Sequence, residues 1–393
     1  MPCEVPGIHG PPVDVCRLRR LELIADCLNS SSVDNSRGST NLQSAMVSTV
    51  VAFALIAAGC GSTPVSSATE TSAADIALYE EPDRLHRLVE GARREGELSI
   101  YTSTQASDLG AVVEAYEKKY GIKASIWRSS SEAVVNRVLQ EARAGRHMVD
   151  IVDTNGPEME ALSREQHLQR VKSPYHADLI PPAIRPHGEW VGVRVNVFVQ
   201  AYNTWLVKKE ELPKTWEELA DEKWKGKLGI EQEDSDWLAA IYGEIGEERA
   251  GKVFKQITAT NGVSIRKGHT LLTQLVVSGE VSLALTVYNY KAEQLRRQGA
   301  PINWFTIGNA IARPNGVGVM RRAPHPYAAV LFYDFELSEE GQKIIAERDF
   351  VPTSRKIDTP LNKVPMTFVD PRVTIDEYDK WKSLYTDLFG EAP

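Results

Sequence analysis

Residues 281–301 read VSLALTVYNYKAEQLRRQGAP. The apolar and β-branched residues from Val281 to Val287 predict a buried strand, and a charged helical pattern begins just after it. Tyr288, Asn289 and Tyr290 therefore stand at a strand-to-helix junction. In open α/β sheets, such junctions converge on one crevice in which ligands bind. We predict that these three residues line that crevice, with ordinary aromatic packing as the alternative role of the tyrosines.

A strand that continued through the junction would place Tyr288 and Tyr290 on the same face, because successive side chains point to opposite sides. Both phenols would then enter the crevice. This inference depends on the strand not ending at Val287.

Other predicted strand-to-helix junctions also carry small polar residues. Predicted strands over residues 98–101, 123–127 and 149–152 each lead into such a loop, and an acidic stretch over 231–237 precedes another helix. In a parallel sheet these loops open on one edge. Helix capping by a serine, as in the capping-box spacing of Ser129 and Glu132, and an Asx turn at Asp153 are the alternatives. The predicted ligand-binding residues in these loops are Ser103, Thr104, Ser129, Ser130, Asp153 and Ser235.

Length and composition indicate a globular protein with two domains. The chain has 393 residues, of which 42% are hydrophobic and 25% charged. A formal net charge of -8, without a long basic run, argues against nucleic acid as a partner. All four cysteines lie at or before Cys60, which excludes a cysteine nucleophile or a cysteine-ligated zinc site in the folded body.

The N-terminal segment is typical of an export signal. Residues 47–59, VSTVVAFALIAAG, are uncharged and too short to span a bilayer as a helix, but their length suits the apolar region of a signal peptide. Ala57, Ala58 and Gly59 precede Cys60, and a Ser/Thr/Ala-rich stretch follows. This resembles a bacterial lipoprotein signal, which predicts lipidation of Cys60 and a protein anchored at the cell envelope, facing the periplasm or the exterior. The role of residues 1–45 and the true start codon stay open.

Two long extended segments suggest how the domains connect. Residues 190–202 and 310–320 are each long enough to cross from one domain to the other. We predict residues 1–60 as extension and signal, 61–81 as a flexible tether, 82–195 with 315–350 as lobe 1, 196–314 as lobe 2, and 351–393 as a helical tail.

Three motifs carry a resemblance to a known family. Residues 215–230 (TWEELADEKWKGKLGI), 323–331 (APHPYAAVL) and 337–346 (LSEEGQKIIA) resemble the type II solute-binding proteins of ABC importers, especially the ferric-ion binders. The resemblance covers residues 96–360. It implies an α/β fold of two lobes, each a sheet flanked by helices, joined by two crossing strands, with ligand clamped between the lobes. It also implies a monomer that delivers its ligand to a membrane permease and the permease's ATPase.

The same resemblance implies a ferric site. The ferric-ion binders of that family hold the metal on two adjacent tyrosines, with a histidine, a carboxylate and a small anion. Here Asn289 separates Tyr288 from Tyr290, Gln105 stands near the expected histidine, and Asp153 or Glu158 would replace the carboxylate. Fe³⁺ is therefore expected as a transported ligand, with no cofactor required. A small organic anion or phosphonate, held by hydroxyls, helix N-termini and Arg194, is the alternative.

Enzymatic function is the alternative of another class, and the sequence argues against it. Residues 246–252 match part of a phosphate-loop pattern, but Val253 stands where a Ser or Thr would bind Mg²⁺. The chain contains no HExxH or GxSxG motif. The histidines, among them His147, His176 and His269, are scattered and are predicted to be surface or structural residues.

Overall fold

The computed structural model describes residues 73–390. The predicted signal, Cys60 and most of the predicted tether lie outside these residues. In the described part, no helix combines the length and apolar character needed to cross a bilayer.

Within residues 73–390, twelve strands form one curled sheet: β1 Glu97–Thr102, β2 Lys123–Arg128, β3 Ile151–Asn155, β4 Leu168–Gln169, β5 Val191–Asn203, β6 Leu228–Glu231, β7 Ser264–Arg266, β8 Leu283–Tyr288, β9 Ile302–Phe305, β10 Ala310–Met320, β11 Val351–Pro352 and β12 Met366–Phe368. The central path of the sheet runs β2-β1-β3-β10-β5-β8-β6-β7. Strands β1, β2 and β3 are parallel to one another, as are β6, β7 and β8, while β5 and β10 run antiparallel between the two groups.

Helices cover the sheet. We call the part built on β1–β4 lobe 1 and the part built on β6–β9 lobe 2. The α-helices are α1 Ala73–Ala77, α2 Arg84–Glu95, α3 Ala106–Tyr120, α4 Ser131–Arg143, α5 Gly156–Arg164, α6 Ser235–Ile245, α7 Glu247–Asn261, α8 His269–Ser278, α9 Asn289–Arg297, α10 Pro326–Leu337, α11 Glu339–Glu347, α12 Pro371–Asp376 and α13 Tyr378–Phe389. Short 3₁₀ turns occupy Pro174–Asp178, Pro181–Ala183, Lys209–Glu211, Glu217–Ala220, Glu222–Trp224 and Pro360–Lys363.

The two crossing strands form the middle of the molecule. Every residue of β5 and of β10 is buried. A strand buried on both faces reads as a nearly continuous apolar run, which is why these two segments stood out in the sequence. The predicted boundaries at 195/196 and 314/315 fall within these strands, but as domain limits they stay predictions.

Close packing explains the Gly-Val-Gly sequence inside β10. A Cβ atom on Gly316 would lie 2.5 Å from a ring carbon of Trp190, and one on Gly318 would lie 2.7 Å from the methyl carbon of Met159. Such distances are far shorter than a van der Waals contact. These glycines therefore allow lobe 1 side chains to pack directly on the crossing strand.

The ends of the described chain differ from the expected tether and tail. Ile76 and Ala77 of α1 are buried in the core of lobe 1, so the tether does not extend to residue 81. After residue 350 the chain adds β11 to β5 and β12 to β10. Trp381 and Tyr385 of α13 then enter the core of lobe 2. Apolar side chains at helical spacing drive this docking, so residues 351–390 are integral to the sheet and to lobe 2.

Other differences are local. Residues 217–220 form a short 3₁₀ turn within the motif at 215–230. Helix α4 is capped by Ser130, whose hydroxyl accepts the Ala133 N–H, and not by Ser129. Ser338 caps α11, because its hydroxyl accepts the Gly341 N–H.

A partly buried histidine, His176, makes the stability of the fold depend on pH. The Tyr333 hydroxyl lies 2.8 Å from Nε2 of His176. Burial lowers the pKa of His176 to about 4, with a smaller effect of Arg84 in the same direction. Because the unfolded chain binds this proton near pH 6.5, the contribution is complete above that pH and is lost as the pH falls towards 4.

We therefore expect His176→Gln to remove part of the acid sensitivity of the fold. Between pH 7 and 4.5, the free energy of unfolding of the unsubstituted protein should fall by about 1–3 kcal/mol more than that of the variant, allowing for the partial exposure of the ring. Urea unfolding at both pH values measures this. Equal pH dependence in the two proteins would contradict the assignment.

Candidate functional site

A cavity of about 570 Å³ lies between the two lobes. Its wall is formed by loops that follow β1, β2 and β3 on one side and β6, β7 and β8 on the other, because both parallel groups end at the same crevice. The crossing strands contribute the floor through Arg194, Asn196, Arg313 and Asn315. Gln105 of lobe 1 reaches Thr270 of lobe 2, with Nε2 3.4 Å from Oγ1.

Six of the predicted site residues line this cavity: Ser103, Thr104, Ser130, Ser235, Tyr288 and Tyr290. The cavity is thus assembled where the junction argument placed it. Whether these residues bind a ligand stays a prediction.

Tyr288 and Tyr290 lie side by side at the edge of lobe 2. Their ring centroids are 5.9 Å apart and the rings are nearly parallel, at 19°. The strand ends at Tyr288, and Tyr290 lies in the first turn of α9, so the two rings do not share a strand face. Tyr290 nevertheless lines the same cavity as Tyr288, with Asn289 between them in the sequence.

That intervening residue points elsewhere. Asn289 is 1% exposed and does not line the cavity, which corrects its prediction as a ligand-binding residue. Neither its amide nitrogen nor its amide oxygen has a hydrogen-bond partner among the described residues. Helix geometry separates adjacent residues by about 100°, which explains why Asn289 diverges from its neighbours.

The two phenols have different surroundings. The Tyr288 hydroxyl accepts a hydrogen bond from the Arg313 guanidinium. Burial raises the pKa of Tyr288 well above its usual range, although Arg313 acts in the opposite direction. Burial also raises the pKa of Tyr290 to about 12, with Asp108 adding to the effect and Arg194 opposing it. The Tyr290 ring packs against Phe350, at 4.1 Å between centroids.

Asp153 is committed to a structural ion pair. Arg194 donates from Nη1 to Oδ2 and from Nη2 to Oδ1 of Asp153, each at 2.9 Å. The hydroxyls of Thr102 and Thr104 also donate to Oδ1 of Asp153, each at 2.8 Å. Asp153 is fully buried within β3 and is absent from the cavity wall, so it is not available to a ligand. Strand β3 continues past the residue at which the sequence pattern predicted its end.

Ser129 is the third predicted residue outside the cavity wall. Its backbone N–H donates to the Thr102 carbonyl at 3.0 Å, which continues the pairing of β2 with β1. Ser131, two residues further along, lines the cavity. Its hydroxyl accepts a hydrogen bond from the side-chain amide of Asn155 at 2.8 Å. Of the two serines predicted to bind ligand in this loop, Ser130 lines the cavity and Ser129 does not.

Arg313 is a site residue that the sequence analysis did not identify. Its Nη1 donates to Oδ2 of Asp236 at 2.8 Å, and its Nη2 donates to Tyr288. Its side chain is only 8% exposed. The sequence showed Arg313 inside an apolar crossing segment, and a lone arginine in such a run was the available signal.

Glu231, Asp234 and His269 were also missed. Glu231 ends β6, Asp234 precedes α6, and His269 begins α8. Their ligand atoms all lie within 4.8 Å of one another. The argument that strand-to-helix junctions line the crevice also applies to His269. This residue begins α8, shortly after β7 ends at Arg266. Gly268 has a φ of 102°, a conformation that favours glycine.

A family model described as bacterial extracellular solute-binding protein matches residues 147–381. The chain belongs to this family. Iron uptake protein A1 of Synechocystis is 25% identical to this solute-binding protein over 304 residues, which is 72% of this chain and 82% of the relative. A protein of Salmonella typhimurium named as a putative 2-aminoethylphosphonate-binding periplasmic protein is 24% identical over 257 residues, covering 63% of this chain and 74% of that protein.

The fold of this solute-binding protein is also found in solved structures. Iron-bound HitA from Pseudomonas aeruginosa superposes with a TM-score of 0.65 at 24% identity, covering 74% of this chain and 99% of HitA. The expected two-lobed type II fold is confirmed. The family model describes its members as solute-binding proteins.

The Arg194–Asp153 pair provides a test of what holds lobe 1 to the crossing strand. Arg194→Met should lower the free energy of unfolding by about 3–5 kcal/mol, because it leaves the Asp153 charge buried without a counterion. Urea unfolding measures the change. Arg249 pairs with Glu217 at the surface, with both side chains about half exposed, so Arg249→Met is a matched control that should cost about 1 kcal/mol or less. Similar losses in the two variants would contradict this role of the buried pair.

Proposed function

We propose that this solute-binding protein captures a ferric ion, alone or with a small anion, in the cavity between its lobes and delivers it to an ABC permease with its ATPase. The binding changes no covalent bond of the ligand. The chain acts as a monomer and needs no cofactor.

The observation that carries this proposal is the pair of phenols at the cavity edge. Tyr288 and Tyr290 both line the cavity with nearly parallel rings 5.9 Å apart. Ferric ion is a hard cation that favours anionic oxygen, and a bound cation lowers the pKa of its ligands strongly. Iron binding would thus offset the burial that raises the pKa of both phenols. The name of the Synechocystis relative, an iron uptake protein, supports the same ligand.

Closure of the lobes is the step that we expect to be recognised by the permease. The hydroxyls and amides of lobe 1, including Ser103, Ser130 and Asn155, lie across the cavity from the tyrosines. A ligand bound to both walls favours the closed arrangement by its differential affinity. The Ser130 hydroxyl already accepts one N–H of α4, so a ligand would use its remaining lone pair or its proton.

Tyr290→Phe should abolish ferric binding and leave the fold intact. The variant removes the phenol oxygen but keeps the ring contact with Phe350. The measurement is a visible absorption titration of metal-free protein with chelated Fe³⁺, in which a saturable tyrosinate-to-iron band reports binding. Tyr378 also lines the cavity, so Tyr378→Phe is the matched control and should keep the band. Unchanged affinity in Tyr290→Phe would refute the assigned ligand role.

A small organic anion or phosphonate is the second candidate ligand. Arg128 and Lys267 line the cavity and are both exposed, and α4 and α8 begin at its wall. Such groups suit a phosphonate or carboxylate. If no iron band forms, 2-aminoethylphosphonate at about 100 times its Kd should raise the free energy of unfolding by roughly 2.7 kcal/mol.

The proposal includes lipidation at Cys60, which would place the receptor at the membrane that holds its permease. In a bacterial host, Cys60→Ser should move the full chain from the membrane fraction to the soluble fraction, as measured by immunoblotting after fractionation. Cys27→Ser is the matched control, because Cys27 lies outside the lipoprotein-like motif. Retention of the Cys60→Ser variant in the membrane fraction would count against a lipid anchor.

A further inference from the structure

Beside the tyrosines, lobe 2 carries a group of side chains of the types that ligate metal ions. Glu231, Asp234 and His269 bring two carboxylates and an imidazole together, with their ligand atoms all within 4.8 Å of one another. All three residues line the interlobe cavity. Glu231 is 3% exposed and Asp234 1% exposed, whereas most carboxylates lie at the surface.

One carboxylate oxygen in this cluster is unpaired. Oδ1 of Asp234 lies 3.2 Å from Nε2 of His269, but Oδ2 has no hydrogen-bond partner among the described residues. A buried carboxylate oxygen without a partner is costly. Nδ1 of His269 is likewise buried without a partner in the described chain. The cluster therefore has unused ligand capacity, which a bound ion would satisfy.

Glu231 is held in position for the same task. Its Oε1 accepts the Gly268 N–H at 2.8 Å, and its Oε2 accepts the Glu233 N–H. Each carboxylate oxygen has a second lone pair, so these bonds orient the group without exhausting it. Backbone hydrogen bonds to metal-binding carboxylates are typical of built metal sites.

Arg313 of the cavity floor is already engaged outside the cluster. Its guanidinium is paired with Asp236 at 2.8 Å and donates to the Tyr288 hydroxyl. Within the cluster, the two buried carboxylates of Glu231 and Asp234 share one imidazole. A bound cation would balance their negative charge.

We propose that Glu231, Asp234 and His269 form a binding site for a divalent transition-metal ion whose protein ligands are these three residues and not the tyrosines, although the rings of His269 and Tyr288 are in contact at 3.8 Å between centroids. Imidazole with carboxylate oxygens suits the divalent first-row metals. A metal about 2.0–2.2 Å from each ligand allows ligand separations up to about 4.4 Å, so the cluster has to close by only a few tenths of an ångström. Solvent or a ligand in the cavity would complete the coordination. The site does not depend on ferric binding.

The test is a titration of the full chain with Mn²⁺ in excess Mg²⁺, followed by the loss of the electron paramagnetic resonance signal of free Mn²⁺. The excess Mg²⁺ occupies weak surface carboxylates. We expect one Mn²⁺ per chain, and we expect Asp234→Asn and His269→Gln each to weaken binding at least about tenfold. Circular dichroism and urea unfolding verify that both variants are folded, and the second variant keeps the test valid if the first does not fold.

Two controls separate this site from its surroundings. Glu132→Gln changes an exposed carboxylate on the lobe 1 wall of the same cavity, and it should leave Mn²⁺ binding unchanged. Tyr290→Phe should also retain Mn²⁺, whatever its effect on iron. No stoichiometric Mn²⁺ binding, or equal binding in Asp234→Asn and His269→Gln, would overturn the proposal. Loss of Fe³⁺ and Mn²⁺ together in Asp234→Asn would show a single shared site and would also overturn it.

Discussion

Two buried arginines on the crossing strands fix the geometry of this protein. Arg194 on β5 is held by Asp153 of lobe 1, at 2.9 Å, and Arg313 on β10 is held by Asp236 of lobe 2, at 2.8 Å. Each crossing strand is thereby tied to one lobe by a desolvated ion pair. Such pairs contribute little net stability against an apolar pair, but breaking one is costly, so they favour a unique arrangement of the strands. These two ion pairs therefore fix the shape of the cavity floor, to which Arg194 and Arg313 belong.

This arrangement divides the cavity into two chemically different walls. The lobe 1 wall offers hydroxyls and an amide cluster in which Asn155 Oδ1 accepts from Asn196 at 3.2 Å and from Asn315 at 3.3 Å. The lobe 2 wall offers two phenols, an imidazole and several carboxylates. Neutral donors suit an anion, whereas phenols, carboxylates and imidazole suit a cation. A cation with an accompanying anion would match both walls at once.

Local sequence patterns predicted the fold well because the strands and junctions depend on local preferences. Strand β10 spans the predicted segment, and the junction rule located the crevice. These local patterns do not show which residues pair when they are far apart in the sequence. Nothing near Asp153 indicates that Arg194 will neutralise it, and the extension of β3 beyond Val152 depends on pairing with β10. His269 was set aside because a single histidine carries no period or spacing, although it occupies the same kind of junction as Tyr288.

The contrast between the two tyrosines bears on how iron would be held. A metal at Tyr288 would share the phenol oxygen with the Arg313 guanidinium, which is tied to Asp236 on α6. A phenol oxygen has two lone pairs, and a third once its proton is lost, so it can bind a metal and Arg313 together. Arg194 stands near Tyr290 but is committed to Asp153 through two hydrogen bonds. Loss of the Tyr288 proton would strengthen its bond to Arg313, whereas Tyr290 has to give up its proton against the burial that raises its pKa to about 12. Because Arg313 lies on a strand that joins the lobes, capture of a metal at Tyr288 would strengthen a contact of that strand with lobe 2.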